Sequence, residues 1–342
     1  MTTYTTDHPE VIEAHNLYAE LHNKAEVARQ LGISNSKAKR LLKVTKEPTS
    51  VENVELPTFP DDDISAEEIL DHMGKRFTNR LAYEDSMKWF KVKIKDDKPV
   101  GITFIGDPHL GSNGCNIPLL RSDIDTLANT DGVYCVNLGD TADNWSYGNL
   151  IRLYAENDVS RKTERRLARW FLEDSGIPWI VWLMGNHDAM DGEFSTYLKT
   201  LNAHKIPMAD WRAKFMLSFP NDVEIKIDAS HNHKGTSIYN RLHGQKRAAL
   251  WGEHADIYIA GHHHNWAMTQ EELDDGRVVC LARARGYKWI DEFATRHGFH
   301  DNIQGASIMF VIDPLESALT RRIKPFADIE EGAEYLTWKR NR

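Results

Sequence analysis

The sequence predicts an α/β layered domain that follows a small all-α domain. From Val100 onward, short apolar runs of strand character alternate with helical segments, which is typical of α/β layers. Before this region, helical periodicity fills most of the stretch 1–46, and the stretch 47–63 is rich in proline and acidic residues. We therefore expect three regions: a helical domain, 1–46; a linker, 47–63; and an α/β domain, 64–342.

The N-terminal domain is predicted to contain three short helices. His8–His22 can present one apolar face, and Lys24–Val44 divides into two helices at a tight turn. After the linker, Ile64–Met87 returns to helical periodicity. Ser65 and Glu68 lie three residues apart at its start, which is the capping-box pattern.

The α/β domain is predicted from a regular order of elements. Apolar runs predict strands at Trp89–Ile94, Val100–Ile105, Gly132–Leu138, Ile177–Met184, Val223–Ala229, Asp256–Ala260, Arg277–Ala282 and Ser307–Ile312. Helices are predicted between them at Ile117–Asn129, Thr163–Glu173, Phe194–Ala203 and Arg241–His254. With 342 residues, 41% of them hydrophobic, the chain can bury a substantial core.

Composition excludes several classes of protein. A net charge of −9 argues against a basic coat over the whole surface, although it is compatible with a local basic patch. The three cysteines, Cys115, Cys135 and Cys280, fit neither a zinc ribbon nor a disulfide framework, so we expect free thiols and a cytoplasmic protein. The polar N-terminus is unlike a signal peptide, and no apolar run reaches the roughly 18 residues of a membrane helix.

Polar clusters follow five of the predicted strands, and each contains potential metal ligands. The clusters are Gly106-Asp107-Pro108-His109, Gly139-Asp140-Thr141-Ala142-Asp143-Asn144, Gly185-Asn186-His187-Asp188, His231, and Gly261-His262-His263-His264. Ligand sites of open sheets lie beyond the carboxyl ends of the strands, so we expect these clusters to converge. Nitrogen and oxygen donors without thiolates suit Mn, Fe or Zn and are unlike a structural zinc site.

Each cluster alone is weak evidence, because an Asp-x-His pair is common and three successive histidines can be a surface accident. All five clusters together, in this order and at strand ends, favour a metal centre over the alternative that these residues bind no ligand. In the multi-residue clusters a glycine lies beside the first ligand. Glycine permits the sharp turns and close backbone approaches of a crowded site.

The five motifs in this order resemble the calcineurin-like metallophosphoesterase superfamily over about residues 98–315. The resemblance implies a four-layer α/β/β/α fold and two divalent metal ions. The donor set itself favours Mn, with Fe, Zn or Mg as alternatives. The resemblance also implies that Asp107, His109 and His264 hold one ion, that Asn186, His231 and His262 hold the other, and that Asp140 bridges them. His187 would face the leaving group with Asp188 holding it, and Asp143, Asn144 and His263 would orient the ligands.

The single-histidine ligand stays open between His231, His233 and His243. His231 directly follows a predicted strand, as the family's ligand does, whereas His243 precedes Gly244, which is another familiar context. Strand-end geometry favours His231.

A pair of ions would support hydrolysis of a phosphoester. Two ions a few ångströms apart lower the pKa of a bridging water and clamp a phosphoryl oxygen for in-line attack. Arg283, Arg285 and Lys288 follow a strand and are candidates to bind substrate phosphates. A solvated run of charge is the competing interpretation.

The motif variants bear on the substrate. Protein phosphatases of the superfamily have Asp-Arg-Gly and Asn-His-Glu, whereas here Asp143 precedes Asn144 and His187 precedes Asp188. The motifs look more like those of double-strand-break repair nucleases and small diesterases. The stretch 231–244 also looks, more loosely, like phage-encoded members, which would act in the host cytoplasm.

The N-terminal helices match the helix-turn-helix pattern. Ala28 lets two helices cross, Gly32 makes the turn, and Ser34 caps the second helix. From Lys24 to Lys46 there are seven basic residues against one acid, and the second helix carries Lys37, Lys39, Arg40 and Lys43. Such a helix enters the major groove of DNA. A helical assembly module with solvated lysines is the alternative.

Three functions therefore compete. The first is a two-metal phosphodiesterase that cuts DNA, with the N-terminal module delivering it to its substrate. The second is a phosphatase or diesterase for small molecules or proteins, with an N-terminal module for assembly. The third is a DNA-binding regulator without activity, and the complete ligand set argues against it.

Overall fold

The structure is a computed structural model, and it describes residues 5–44, 65–145, 159–202, 205–289 and 304–342. The chain divides into two units, Met1–Asp71 and His72–Arg342. The predicted linker, 47–63, lies outside the described residues, so the predicted boundaries at 46 and 64 stay predictions.

The described stretch 5–44 contains three helices, as predicted: α1 (Pro9–Leu21), α2 (Lys24–Gln30) and α3 (Asn35–Leu41). The Ser34 hydroxyl accepts the Lys37 backbone N–H at 3.2 Å and so caps α3. Gly32 has φ of +66° in the turn before it, a conformation that glycine adopts without strain. A small apolar cluster of Val11, Ala14, Val27 and Leu41 joins the helices.

A long helix, α4 (Ala66–Ser86), precedes the first strand, β1 (Lys88–Lys93). Its capping box is confirmed. The Glu68 backbone N–H donates to the Ser65 hydroxyl at 3.2 Å, and the Ser65 N–H donates to the Glu68 carboxylate at 3.1 Å.

Two six-stranded mixed sheets form the body of the described α/β domain. The remaining strands are β2 (Val100–Ile105), β3 (Val133–Asn137), β4 (Trp179–Leu183), β5 (Met208–Ala209), β6 (Arg212–Ser218), β7 (Glu224–Ser230), β8 (Ile257–Ala260), β9 (Ala267–Glu272), β10 (Val278–Arg283), β11 (Ser307–Ile312) and β12 (Ile323–Phe326). Sheet 1 has the order β12-β11-β2-β3-β4-β5, and sheet 2 has the order β1-β6-β7-β8-β10-β9. Strands β2 to β5 run parallel, as do β7, β8 and β10.

The core between the sheets explains why they face each other. Phe104 and Val136 of sheet 1 lie in one buried apolar cluster with Phe215 and Ile227 of sheet 2. Strand residues alternate faces, so each sheet has a second apolar face to cover. The other face of sheet 1 packs against α5 (Ile117–Asn129), α6 (Arg161–Arg169), α7 (Glu193–Leu201) and the C-terminal α10 (Ile329–Arg340); that of sheet 2 packs against α8 (His243–Trp251). The predicted four-layer α/β/β/α class is confirmed.

Some elements were not predicted. Strands β5, β6, β9 and β12, the short α9 (Leu319–Arg322) and helix α10 all lie in stretches left unassigned from sequence. The predicted helix Thr163–Glu173 exists as α6 followed by one π-helical turn, Trp170–Asp174. Among the described helices, none combines the length and apolarity needed to cross a membrane. The three cysteines are free thiols, as expected.

Candidate metal centre

The predicted ligands lie where parallel strands of both sheets end. Asp107 follows β2, Asp140 follows β3 and Asn186 follows β4, all in sheet 1. His231 directly follows β7 and His262 follows β8, both in sheet 2. Because the two sheets face each other, these five ends bring their side chains into one largely buried cluster, as the order of motifs predicts.

The backbone at this edge adopts a conformation that is uncommon outside glycine. Six non-glycine residues of the clusters have positive φ, between +40° and +72°: Asp107, His109, Asp140, Asn144, His262 and His264. Such residues cost free energy and persist only where the surrounding structure holds them, which is typical of functional sites. Nothing in residue type alone predicts this feature.

Two glycines make room for the carboxylates. A Cβ on Gly185 would lie 2.1 Å from the Asp140 Oδ1, and a Cβ on Gly261 would lie 2.3 Å from the Asp107 Oδ2. Both contacts are far inside van der Waals distance. Any side chain at either position would therefore displace a predicted ligand, in agreement with the role expected of the cluster glycines.

One ligand group consists of Asp107, His109 and His264, whose candidate donor atoms lie within 4.8 Å of one another. The Nε2 atoms of His109 and His264 are 3.2 Å apart. Asp107 Oδ1 lies 3.8 Å from His264 Nε2. This is the group predicted for the first ion.

A second group forms around His231. Its Nε2 lies 2.9 Å from Asn186 Oδ1, 3.1 Å from His262 Nδ1 and 3.3 Å from Asp140 Oδ2. The same Asp140 Oδ2 atom lies 3.8 Å from His109 Nε2, which belongs to the first group. Asp140 therefore lies between the two groups, where the bridging ligand was predicted.

The donor atoms fit divalent cations. Asp107 Oδ1 is buried and has no hydrogen-bond partner among the described residues. In each group, two imidazole nitrogens face each other near 3 Å, an arrangement that needs a cation or a proton between them. The set is made of nitrogen and oxygen donors, which suits Mn, Fe or Zn. The residues present therefore fit the metals that the sequence predicts.

The pKa values divide the ligands into two kinds. Burial lowers the pKa of His262 to about 4, helped by repulsion from His231, and it lowers the pKa of His109 and His264. Burial alone would also lower the pKa of His231, but the Asp140 carboxylate outweighs it and raises the pKa to about 10. Burial raises the pKa of Asp107 to about 8. A cation among these atoms would reverse both raised values.

A buried lysine and carboxylate orient His109. Asp143 Oδ1 lies 2.8 Å from His109 Nδ1 and 3.0 Å from Lys288 Nζ, and all three side chains are buried. Nδ1–H donation to a carboxylate leaves Nε2 as the free lone pair toward the ion. Burial opposes ionisation of Asp143, but hydrogen bonding from His109 and the charge of Lys288 outweigh it and lower its pKa. Asp143 was predicted in this role; the lysine was not.

His187 and Asp188 have different partners from those predicted. His187 Nδ1 faces the Asp143 carbonyl oxygen, and the Asn144 side-chain amide donates to the His187 carbonyl at 2.8 Å. The oxygens of Asp188 accept the backbone N–H groups of Thr141 and Gly185, each at 2.9 Å. Asp188 therefore orders the two loops, and the expectation that it holds the His187 ring is wrong. His187 also forms a potential ligand group with His109 and Asp140.

The remaining histidines lie outside the two groups. His243 begins α8 beside Gly235, and His233 Nε2 lies 3.4 Å from Asp228 Oδ1. His263 stacks edge-on against His262, with ring centroids 4.9 Å apart. Of the three candidates for the single-histidine ligand, the structure brings His231 into the cluster.

The basic residues after β10 are buried. Arg283, Arg285 and Lys288 are 4%, 2% and 3% exposed, so a solvated run of charge does not describe them. Arg283 Nη1 lies 3.4 Å from Asn265 Oδ1, and its Nε has no partner among the described residues. The Arg285 guanidinium lies 4.7 Å from the Trp289 ring centroid.

Two facing sheets carry a cluster of nitrogen and oxygen donors at their shared edge, which is an arrangement suited to holding divalent metal ions. The chain belongs to the calcineurin-like phosphoesterase family, whose sequence profile matches residues 100–292. The match confirms the superfamily that the motif order resembles. The nuclease branch, the phage likeness and the helix-turn-helix stay predictions.

Several solved structures are similar over nearly their whole length. A Vps29 single mutant from Entamoeba histolytica is 15% identical with a TM-score of 0.36, covering 66% of this chain and 97% of that one. Wild-type Vps29 complexed with Zn²⁺, from the same organism, is 14% identical with the same TM-score of 0.36 and the same coverage, 66% and 97%. The calcineurin-like phosphoesterase YfkN from Bacillus subtilis is 12% identical with a TM-score of 0.34, covering 72% and 97%. No curated protein matches the chain significantly.

Proposed function

We propose that this protein is a two-metal phosphodiesterase that hydrolyses DNA. The observation that carries the two-metal part is the position of Asp140 between two separate ligand groups. Asp107, His109 and His264 would hold one ion and Asn186, His231 and His262 the other. Bound there, the ions would polarise a phosphoryl oxygen and activate the attacking water. We expect Mn to support activity best, with Fe, Zn or Mg as alternatives.

His187 is the side chain that would donate a proton to the leaving oxygen. Its Nδ1 faces the Asp143 carbonyl, which can only accept, so Nδ1 carries the hydrogen. Nε2 is then the nitrogen able to take and give a proton. A protonated Nε2 next to the leaving oxygen would neutralise the charge that develops there, in general acid catalysis.

Arg283 and Arg285 are proposed to act on the substrate phosphate. Both guanidinium groups are buried, and burial lowers the pKa of Arg283 to about 10, although it stays charged at neutral pH. The Nε–H of Arg283 has no hydrogen-bond partner among the described residues, so it is free to donate to a phosphate oxygen in these low-dielectric surroundings. A fixed cation in such a place attracts a phosphodiester more strongly than a solvated one does.

The N-terminal unit supports DNA as the substrate. Lys39, Arg40 and Lys43 are exposed on or just after α3, whereas Lys37 pairs with Glu10 at 2.9 Å. The turn at Gly32 and the cap at Ser34 agree with a helix-turn-helix, whose second helix enters the major groove. Exposed cations on that helix would contact DNA phosphates.

A substrate panel tests the proposal. The Mn-loaded protein is incubated with a diester chromogen, a monoester chromogen, single-stranded DNA and double-stranded DNA. Asp140→Asn protein purified in parallel controls for contaminating nucleases. We expect hydrolysis of the diester and of DNA by the wild type alone. Hydrolysis of the monoester with intact DNA would overturn the nuclease proposal and favour a small-molecule or protein substrate.

A further inference from the structure

A tryptophan lies beside the second ligand group, and the proposed hydrolysis does not use it. Trp211 immediately precedes β6 and is 41% exposed. Its ring centroid is 5.0 Å from that of His231 and 6.3 Å from that of His262. A large, partly exposed aromatic surface therefore borders a buried polar centre.

The Trp211 ring is fixed in place before any substrate arrives. Its indole N–H donates to the Asn232 carbonyl at 3.1 Å, and its own carbonyl accepts the His231 backbone N–H at 2.8 Å. One hydrogen bond therefore holds the ring and another holds the backbone of Trp211, and both lead to the strand end that carries a predicted ligand. A preordered aromatic side chain binds a flat partner without losing rotamer freedom.

The charges around Trp211 do not oppose an anionic substrate strongly. Its neighbour Asp210 is exposed, but its carboxylate lies 2.6 Å from Lys199 Nζ and 3.7 Å from Arg80 Nη2. On the other side, Arg212 pairs with the buried Asp228. The carboxylates of Asp210 and Asp228 are therefore both ion-paired, and the partly exposed indole offers an apolar surface beside the second ligand group.

We propose that Trp211 is a base-binding residue: it stacks on the nucleobase of a nucleotide adjacent to the scissile phosphate. This inference rests on the proposed function and narrows its substrate class to nucleoside phosphodiesters. Aromatic side chains stack on any base, because every base has a π-face, so the contact is independent of sequence.

A base can stack on Trp211 only after leaving its neighbours in the strand. Unstacking costs least at strand ends, in gaps and in single strands. The protein is therefore expected to cut single-stranded DNA and duplex ends faster than intact duplex. The N-terminal unit would still bring the enzyme to duplex DNA, because its proposed contacts are with phosphates.

Two chromogenic diesters isolate the stacking contact. Thymidine 5′-(p-nitrophenyl phosphate) and methyl p-nitrophenyl phosphate have the same leaving group, and only the first carries a base. We expect Trp211→Leu to lower kcat/KM for the thymidine ester by about 5- to 150-fold, mainly through KM, and to leave the methyl ester unchanged. Trp211→Phe should retain most of the preference for the base.

Controls separate binding from support of the metal ligands. Trp338→Leu, at a tryptophan that is 47% exposed on α10, should change neither ester. Bound metal, measured by elemental analysis, should be equal in wild type and both Trp211 variants. An equal loss on both esters would show that Trp211 only supports His231 and His262, and no loss on either would show that it binds no base.

The same assay separates this inference from the proposed function. If wild-type protein loaded with Mn hydrolyses neither ester, the proposed function fails, and the inference fails with it. If wild type hydrolyses both esters equally well and Trp211→Leu changes nothing, the phosphodiesterase proposal stands and only the base-binding role is overturned.

Discussion

The candidate metal centre and the N-terminal helices differ in what they bury. At the metal centre, Asp107, Asp140 and His231 are at most 2% exposed, and their polar atoms face one another. In the N-terminal helices the buried side chains are apolar, while charged residues such as Lys39 and Arg40 are exposed. The first region would depend on a few buried polar atoms, whereas the second carries its charge on many exposed side chains.

This difference predicts how each region responds to mutation. No neighbouring side chain can replace a buried carboxylate that two ligand groups share, so a single substitution there should abolish activity. Exposed cations act together through their summed field, which salt screens, so single changes there should be small.

Asp140→Asn should have the largest effect and abolish turnover of a diester. The Asp140 carboxylate lies within 4 Å of imidazoles from both ligand groups, and an amide cannot neutralise two cations. Steady-state hydrolysis and bound metal are measured together, with the exposed Asp125→Asn as the matched control. Full activity at equal metal loading would show that Asp140 is not the bridge.

His187→Ala should lower the rate about 10²–10⁴-fold with little loss of metal, since its proposed role is proton transfer. The loss should be larger for DNA than for p-nitrophenyl esters, whose leaving group needs no proton. Loss of one equivalent of metal would instead make His187 a ligand, a role that its proximity to His109 and Asp140 leaves open.

Lys288→Met should weaken metal affinity or activity about 10–100-fold, because the Asp143 carboxylate that orients His109 loses its cationic partner. Lys91→Met is the matched control, since Lys91 forms an exposed ion pair with Glu224 that is worth little. Metal titration distinguishes the two variants. Equal affinities would show that Lys288 does not act through Asp143.

Metal affinity should rise with pH above neutrality. Asp107 and His231, with pKa values raised to about 8 and about 10, hold protons at neutral pH that a cation must displace. Each proton released raises the apparent affinity about tenfold per pH unit until the pKa is passed. Calorimetry in two buffers of different ionisation enthalpy counts the protons, and a count of zero would contradict the assignment.

The N-terminal unit should give the smallest and most salt-dependent effect. Deleting residues 1–50, or changing Lys39, Arg40 and Lys43 to alanine, should leave a small diester unaffected and slow the cutting of long DNA at low salt. The salt slope of DNA binding should fall by up to about 3 in the triple variant. Alanines at Lys91, Lys93 and Lys95 remove the same charge elsewhere and should have less effect.

Residue identity at strand ends was sufficient to predict that these polar side chains converge. Asp107, Asp140, Asn186 and His262 were expected to meet because parallel strands end at one edge of a sheet, and the structure brings them together there. Their assignment as metal ligands came from the family resemblance and stays a prediction. Signals for two missed elements were also present. Polar and apolar residues alternate from Arg212 to Phe215 at the start of β6, and Asp328 lies three residues before Glu331 at the start of α10, where the Glu331 N–H donates to Asp328 at 2.9 Å.

Other features depend on contacts that sequence spacing does not encode. Lys288 and Asp143 are 145 positions apart, and no local pattern links them. Asp188 follows His187, yet its oxygens turn to the Thr141 and Gly185 amides because those buried donors need acceptors. The position of Trp211 beside His231 likewise follows from the pairing of β6 with β7.

The division of the ligands between the sheets has a consequence for folding. Sheet 1 supplies Asp107, Asp140 and Asn186, and sheet 2 supplies His231, His262 and His264, so neither sheet alone can complete a site. Hydrogen bonds already join the sheets at this edge: the His262 N–H donates to Asp107 Oδ2 at 2.9 Å, and His231 Nδ1 donates to the Leu138 carbonyl at 2.8 Å. Ions that bind only the assembled edge would raise the free energy needed to separate the sheets. Chelation would therefore lower the melting temperature of the α/β domain and leave that of the N-terminal helices unchanged.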